Sequence, residues 1–194
     1  TLDDPVYSML MTSPQPESVS TDDRHLFACL MAVAAQETHE IEVATGLDVS
    51  DLESLLMVFF PGESSVFPFQ SSPSNNKALP ECNSEILAVL LNHVPTGKDL
   101  NQTFVSRCLA RIIAARTSLP GHLWVAMGLT ERPQLTAAIR RHLPTLAKAN
   151  HQNMRWKRYL YRQDWDLNGG VMCKAPNCGV CSDYHLCFTE EGSD

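Results

Sequence analysis

Four of the seven cysteines, Cys173, Cys178, Cys181 and Cys187, crowd the end of the chain in the spacing C-x4-C-x2-C-x5-C. A segment this short cannot spread four thiols through a core, so it is predicted to be a loop wrapped around one bound centre. Thiolates are soft, anionic ligands suited to iron–sulfur clusters and zinc, and nothing is gained by gathering them bare. Closed zinc sites usually pair two C-x2-C knuckles, whereas this chain has one, so a cubane-type iron–sulfur cluster fits better and a structural zinc knot is the plainer alternative. Plant-type ferredoxins open with C-x4-C-x2-C but place their fourth ligand much further along, and Cys187 follows too soon. A disulfide framework is disfavoured by the odd number of cysteines and by a start that lacks the basic and apolar parts of a secretory signal. Reduced thiols in the cytoplasm are the expectation.

The 194 residues suffice for one hydrophobic core, and 44% apolar content is that of an ordinary globular protein. A formal charge of −7 argues against a sequence-independent grip on nucleic acid or on an anionic membrane. No apolar run approaches the length of a membrane span.

Upstream of the cysteines the apolar residues recur in steps of three and four, and no alternating strand pattern or fixed repeat is found. The fold class expected is all-α, an irregular helical bundle with a C-terminal cysteine-rich metal-cluster loop. Residues 1–20, with Pro5, Pro14 and Pro16, are predicted to be a loosely ordered arm, 21–165 a helical domain with a long loop near 61–82, and 166–194 the cluster-binding segment and tail. A first helix starts near Asp22, buries Leu26, Phe27, Leu30, Val33 and Ala34, and stops at Gly46. Ser50 and Glu53 have capping-box spacing for a second, with Leu52, Leu55, Leu56 and Phe59 as its stripe. A third carries Ile86, Leu87, Leu90, Leu91 and Val94, and a fourth Phe104, Val105, Cys108, Leu109, Ile112 and Ile113. After a short apolar segment, 122–129, a helix opens near Thr130 with Pro133 in its first turn, and the last runs from about Thr145 to Gln163.

In that last helix Arg155, Arg158 and Arg162 share one face and Trp156, Tyr159 and Leu160 another. The plain reading packs the aromatics on the core and solvates the charges; the functional one sets the cations beside the thiolates or an acidic partner. His122, after Pro120-Gly121, stands at a turn where an imidazole could reach a metal site, although a lone histidine is more often a surface or capping residue. His185, inside the cysteine loop, is a further donor or a solvated loop residue. Cys29 and Cys108 read as small core hydrophobes, and Cys82 as a spare thiol. Catalytic patterns fail: Val43 replaces the second histidine of an H-E-x-x-H begun at His39-Glu40, and Val66 the last glycine of a G-x-S-x-G begun at Gly62. No nucleotide-binding fingerprint is present.

Three blocks of residues go beyond the cysteine spacing: His122-Leu-Trp with Met127-Gly-Leu129; Asn150, Asn153-Met154, Trp156-Lys157 and Tyr161-Arg162; and Cys173-Lys-Ala-Pro176 through Cys178, Cys181, Asp183-Tyr184 and Cys187-Phe188. In these the C-terminal half resembles the NifQ family of nitrogen-fixation proteins. It departs from the family at Val125-Ala126, where more polar residues are usual. The resemblance implies a metal-cluster carrier rather than an enzyme, one that holds a molybdenum–iron–sulfur cluster ([Mo-3Fe-4S], on a [3Fe-4S] or [4Fe-4S] type core) and donates molybdenum for the nitrogenase iron–molybdenum cofactor. It further implies Cys173, Cys178, Cys181 and Cys187 as ligands, with the fourth cysteine or a residue such as His122 able to close an exchangeable corner. The implied partners are the cofactor-assembly scaffold, the nitrogenase iron protein and a molybdenum source such as molybdate. An electron-transfer protein with an ordinary [4Fe-4S] cluster and a structural zinc module are the alternatives.

Overall fold

The computed structural model describes residues 3–37, 40–63, 81–97 and 99–167, and all regular structure among them is helical. The expected cysteine-rich loop and most of the expected 61–82 loop lie outside the described residues.

Two long helices form the centre. Helix α2 (Thr21–Ala35) is capped by Ser20, whose hydroxyl accepts from the Asp23 N–H, and is buried on nearly every side from Leu26 to Ala32. Helix α6 (Leu100–Arg116) buries Val105, Cys108, Leu109, Ile112 and Ile113, the stripe expected from its periodicity. Helix α4 (Val49–Phe59) inserts Leu52, Leu55, Leu56 and Phe59 into the same core, where the Phe59 ring meets Phe27 at 4.6 Å between centroids. Helix α5 (Glu81–Leu91) packs along α6, and α8 (Arg132–His142) lies against α2 and α6. Helix α8 opens as predicted, with Pro133 in its first turn and a capping box between Glu131 and Gln134.

The N-terminal arm is an error of the sequence reading. Residues 5–12 form helix α1, packed on α2, because Asp4 accepts from the N–H groups of Val6 and Tyr7 and Pro5 has the backbone angle of a first helical turn. Leu10 is fully buried. The buried Arg24 guanidinium donates to the Leu10 and Ser13 carbonyls and to the Ser13 hydroxyl, and it lies 5.3 Å from the centroid of the Phe60 ring. Arg24 thus closes the carbonyl end of α1 from another helix, a tie that local periodicity cannot reveal.

Other boundaries differ too. Gly46, at φ +69, does end a helix, but it is the short α3 (Ile41–Thr45), not α2. The cap of α4 is Asp48, which accepts from the Asp51 N–H, and Ser50 is already inside the helix. In α5 the buried face is Ile86, Val89 and Leu90, with Leu91 exposed. The helix expected over 145–163 is two, α9 (Pro144–Ala149) and α10 (Trp156–Leu167). Between them the Asn150 side chain donates to the Met154 carbonyl and accepts from its N–H, replacing the helical ladder, while Asn153 takes a left-handed φ of 54°. Arg132 holds the break by donating to the carbonyls of Asn153 and Met154.

Candidate metal centre

Of the residues predicted to bind metal, Cys173, Cys178, Cys181 and Cys187 lie outside the described residues, as does His185. His122 is described. It precedes α7 (Leu123–Ala126), a single turn, and its extended backbone (φ −77°, ψ 141°) follows Gly121 at φ +79°. Leu123 and Met127 anchor this turn in the core, which leaves His122 and Trp124 half-buried and Val125 exposed. The two rings lie nearly parallel, 9° apart in plane and 6.1 Å between centroids. A turn of four residues has little helical stability of its own, so its position must come from its surroundings.

Three surroundings hold it. After α7 the chain reaches Gly128 (φ +73°), where a Cβ would come within 2.5 Å of the Cys29 carbonyl oxygen, so only glycine lets this turn lie against the α2 backbone. From beneath, the buried Arg116 donates from Nε to the Ala126 carbonyl (2.7 Å) and from a terminal nitrogen to the Ala44 carbonyl (3.2 Å), and it pairs with Glu37 at 2.7 Å. From the side, α10 reaches the connection between α6 and α7: Lys157 Nζ donates to the Leu119 carbonyl (2.5 Å) and to that of Gly121 (3.5 Å), and Tyr161 Oη to that of Thr117 (3.4 Å). Sequence reasoning missed Arg116, Lys157 and Tyr161 as the residues that brace His122. The one signal available was that Arg116 ends an apolar stripe, where a solvated cation would be ordinary.

Helix α10 bears on the packing of the basic, aromatic segment. Trp156, Tyr159, Leu160 and Tyr161 are all buried, and the Trp156 indole N–H donates to the Thr136 hydroxyl. Arg155 stands before the helix, exposed, and Arg162 is exposed on it. The packing half of the plain reading therefore describes the aromatics.

The remaining soft or basic donors serve the core. Cys29 and Cys108 have no exposed surface, and burial pushes their thiols up to about 11 and about 12, so both stay protonated and are poor ligands. His25 bridges three elements, with Tyr7 Oη 2.9 Å from Nδ1 and Gln134 Nε2 3.3 Å from Nε2. His93 lies 2.9 Å from the Thr145 hydroxyl, and burial lowers its pKa. His142 and Arg141 share the Asp23 carboxylate, the imidazole at 2.9 Å and the guanidinium at 2.7 Å. Burial alone would raise the Asp23 pKa, but these two partners outweigh it and bring it to about 2. Among the described residues no three His, Cys, Asp or Glu side chains gather closely enough to hold a metal ion. Among the described residues His122 thus stands on a braced turn, and α10 is the helix that precedes the cysteines in the chain.

The family model of NifQ matches residues 26–189, a span that takes in the His122 turn and all four clustered cysteines. This chain belongs to the NifQ family. It is 35% identical over 175 residues to the protein NifQ homolog of Sinorhizobium fredii, covering 86% of this chain and 71% of that protein. It is 31% identical over 159 residues to the protein NifQ of Azotobacter vinelandii, covering 75% and 77%. With the protein NifQ of Rhodobacter capsulatus it shares 41% identity over 86 residues, 44% of this chain and 48% of that one. No solved structure matches the chain.

Proposed function

We propose that the protein is a molybdenum carrier that binds a molybdenum–iron–sulfur cluster through the group Cys173, Cys178, Cys181 and Cys187, three of them on iron, with the fourth or His122 as a donor to an exchangeable corner. NifQ proteins act in the molybdenum processing of nitrogen fixation. The observation that supports the finer reading is the span of the family match, residues 26–189, which takes in both His122 and the four cysteines although some fifty positions separate them. Three thiolates can retain a three-iron, four-sulfide core whose open corner presents three sulfides, a soft face for a molybdenum ion. A neutral imidazole at that corner binds more weakly than a fourth thiolate, which suits cargo that must leave. The protein delivers its molybdenum to the nitrogenase cofactor-assembly scaffold, with the nitrogenase iron protein as a second partner, and takes molybdate or a reduced molybdenum species as its source. It works in the cytoplasm as a carrier and not as a catalyst; no described helix is long and apolar enough to cross a membrane.

The test is elemental and acid-labile sulfide analysis of protein purified without oxygen from cells supplied with molybdate, iron and zinc. About three to four iron and sulfide per chain with about one molybdenum is the expected result. Iron and sulfide that never take up molybdenum would replace this reading with an electron-transfer cluster, and zinc without sulfide with a structural knot.

A further inference from the structure

We propose that Lys157 is a positioning residue for His122, holding the imidazole in a set relation to the helix from which the cysteine segment departs. The proposal deepens the function above and rests on its reading of His122 as a molybdenum donor.

The connection from α6 to α7 leaves carbonyls outside any helical ladder, and such groups need partners from elsewhere. Two residues one turn apart on α10 supply them. The Lys157 ammonium meets the carbonyls of Leu119 and Gly121, the latter belonging to the residue just before His122, and the Tyr161 hydroxyl meets that of Thr117. An ammonium has three donors and no acceptor, so it can join two carbonyls of one turn, and the bonds are charge-assisted. Helix α10 is itself anchored in the core by Trp156, Tyr159 and Leu160. The His122 turn is thereby fastened to a rigid element and not merely to its sequence neighbours. That element matters because α10 ends at Leu167, six positions before Cys173. A donor to a cluster held by those cysteines benefits from being tied to the helix that precedes them in the chain, and Lys157 supplies such a tie at the residue just before His122. A shift of about 1 Å in a ligand-bearing turn is enough to weaken a metal bond, whereas the fold as a whole would tolerate it.

The test uses the full-length chain with 13C-labelled histidine, comparing wild type with Lys157→Met, Tyr161→Phe and His122→Gln. In metal-free protein the His122 imidazole signal, assigned by its loss in His122→Gln, is expected to move in Lys157→Met while the signals of His25 and His142 stay. In cluster-loaded protein Lys157→Met is expected to keep its iron and sulfide but to retain molybdenum about tenfold less well, as one lost charge-assisted bond would cause, and to match His122→Gln. Tyr161→Phe gives a smaller change of the same kind and carries the test if Lys157→Met does not fold. An unmoved His122 signal in both α10 variants overturns the positioning role. So does normal molybdenum retention in Lys157→Met when His122→Gln has lost it. If His122→Gln itself retains molybdenum normally, the ligand reading of His122 fails, and the metal-free spectra still decide whether Lys157 sets the ring.

Discussion

Helices α2 and α6 and the turn around α7 are held in opposite ways. The two helices are fixed by apolar side chains that point inward, and little of their chemistry reaches the surface. The α7 turn is fixed through its backbone, by Arg116 on the Ala126 carbonyl, Lys157 on those of Leu119 and Gly121, and Gly128 against α2. Holding a segment by its carbonyls fixes it without fully burying its side chains. His122 and Trp124 remain half-buried and Val125 exposed although the turn that carries them is firmly placed. Burial stabilises, whereas backbone bracing presents, and the role proposed for His122 needs the second as much as the first.

Perturbing the core should give the largest loss of stability and no selective change in metal. Phe27→Ala removes a fully buried ring packed on Phe59 and is expected to cost about 3–5 kcal/mol in urea unfolding, with the molybdenum-to-iron ratio of the remaining folded protein unchanged. Perturbing the brace should do the reverse in proportion. Arg116→Met abandons two carbonyls and the Glu37 carboxylate and should cost about 3 kcal/mol, with a molybdenum-to-iron ratio that falls even in the folded fraction. Gly128→Ala forces a Cβ toward the Cys29 carbonyl at a left-handed φ and is expected to cost about 2 kcal/mol or more, read by the thermal midpoint.

The clamp between α2 and α8 has a pH signature of its own. Asp23 has a folded pKa of about 2 against the ordinary 3.8, so its bonds to His142 and Arg141 contribute fully above about pH 4 and are lost as pH falls through about 2. Asp23→Asn should therefore flatten the stability profile across that window, by about 1–2 kcal/mol in urea titrations run at successive pH values. The smallest effect is expected at Met57, exposed on α4 and part of neither region: Met57→Lys should change stability by no more than about 0.5 kcal/mol and leave metal content alone.

The helical class, the stripes of α4 and α6, the opening of α8 and the core placement of Cys29 and Cys108 were all legible in the residue pattern. They follow from burial at a 3.6-residue period, which a sequence displays directly. Residues 5–12 were not legible as a helix, because α1 is too short to show a period and depends on Arg24, fourteen residues from the Leu10 carbonyl it binds. Nor was the break at Asn150, where a side-chain amide takes over the backbone's hydrogen bonds without any proline or glycine to announce it. His122 could be singled out by chemistry and by its punctuated turn, and the spacing of Cys173, Cys178, Cys181 and Cys187 is the source of the metal chemistry proposed above. What only the tertiary structure decided is how His122 is held. Its supports, Arg116 and Lys157, come from two other helices, and long-range bonds to backbone carbonyls leave no trace in the identity of the residues that accept them.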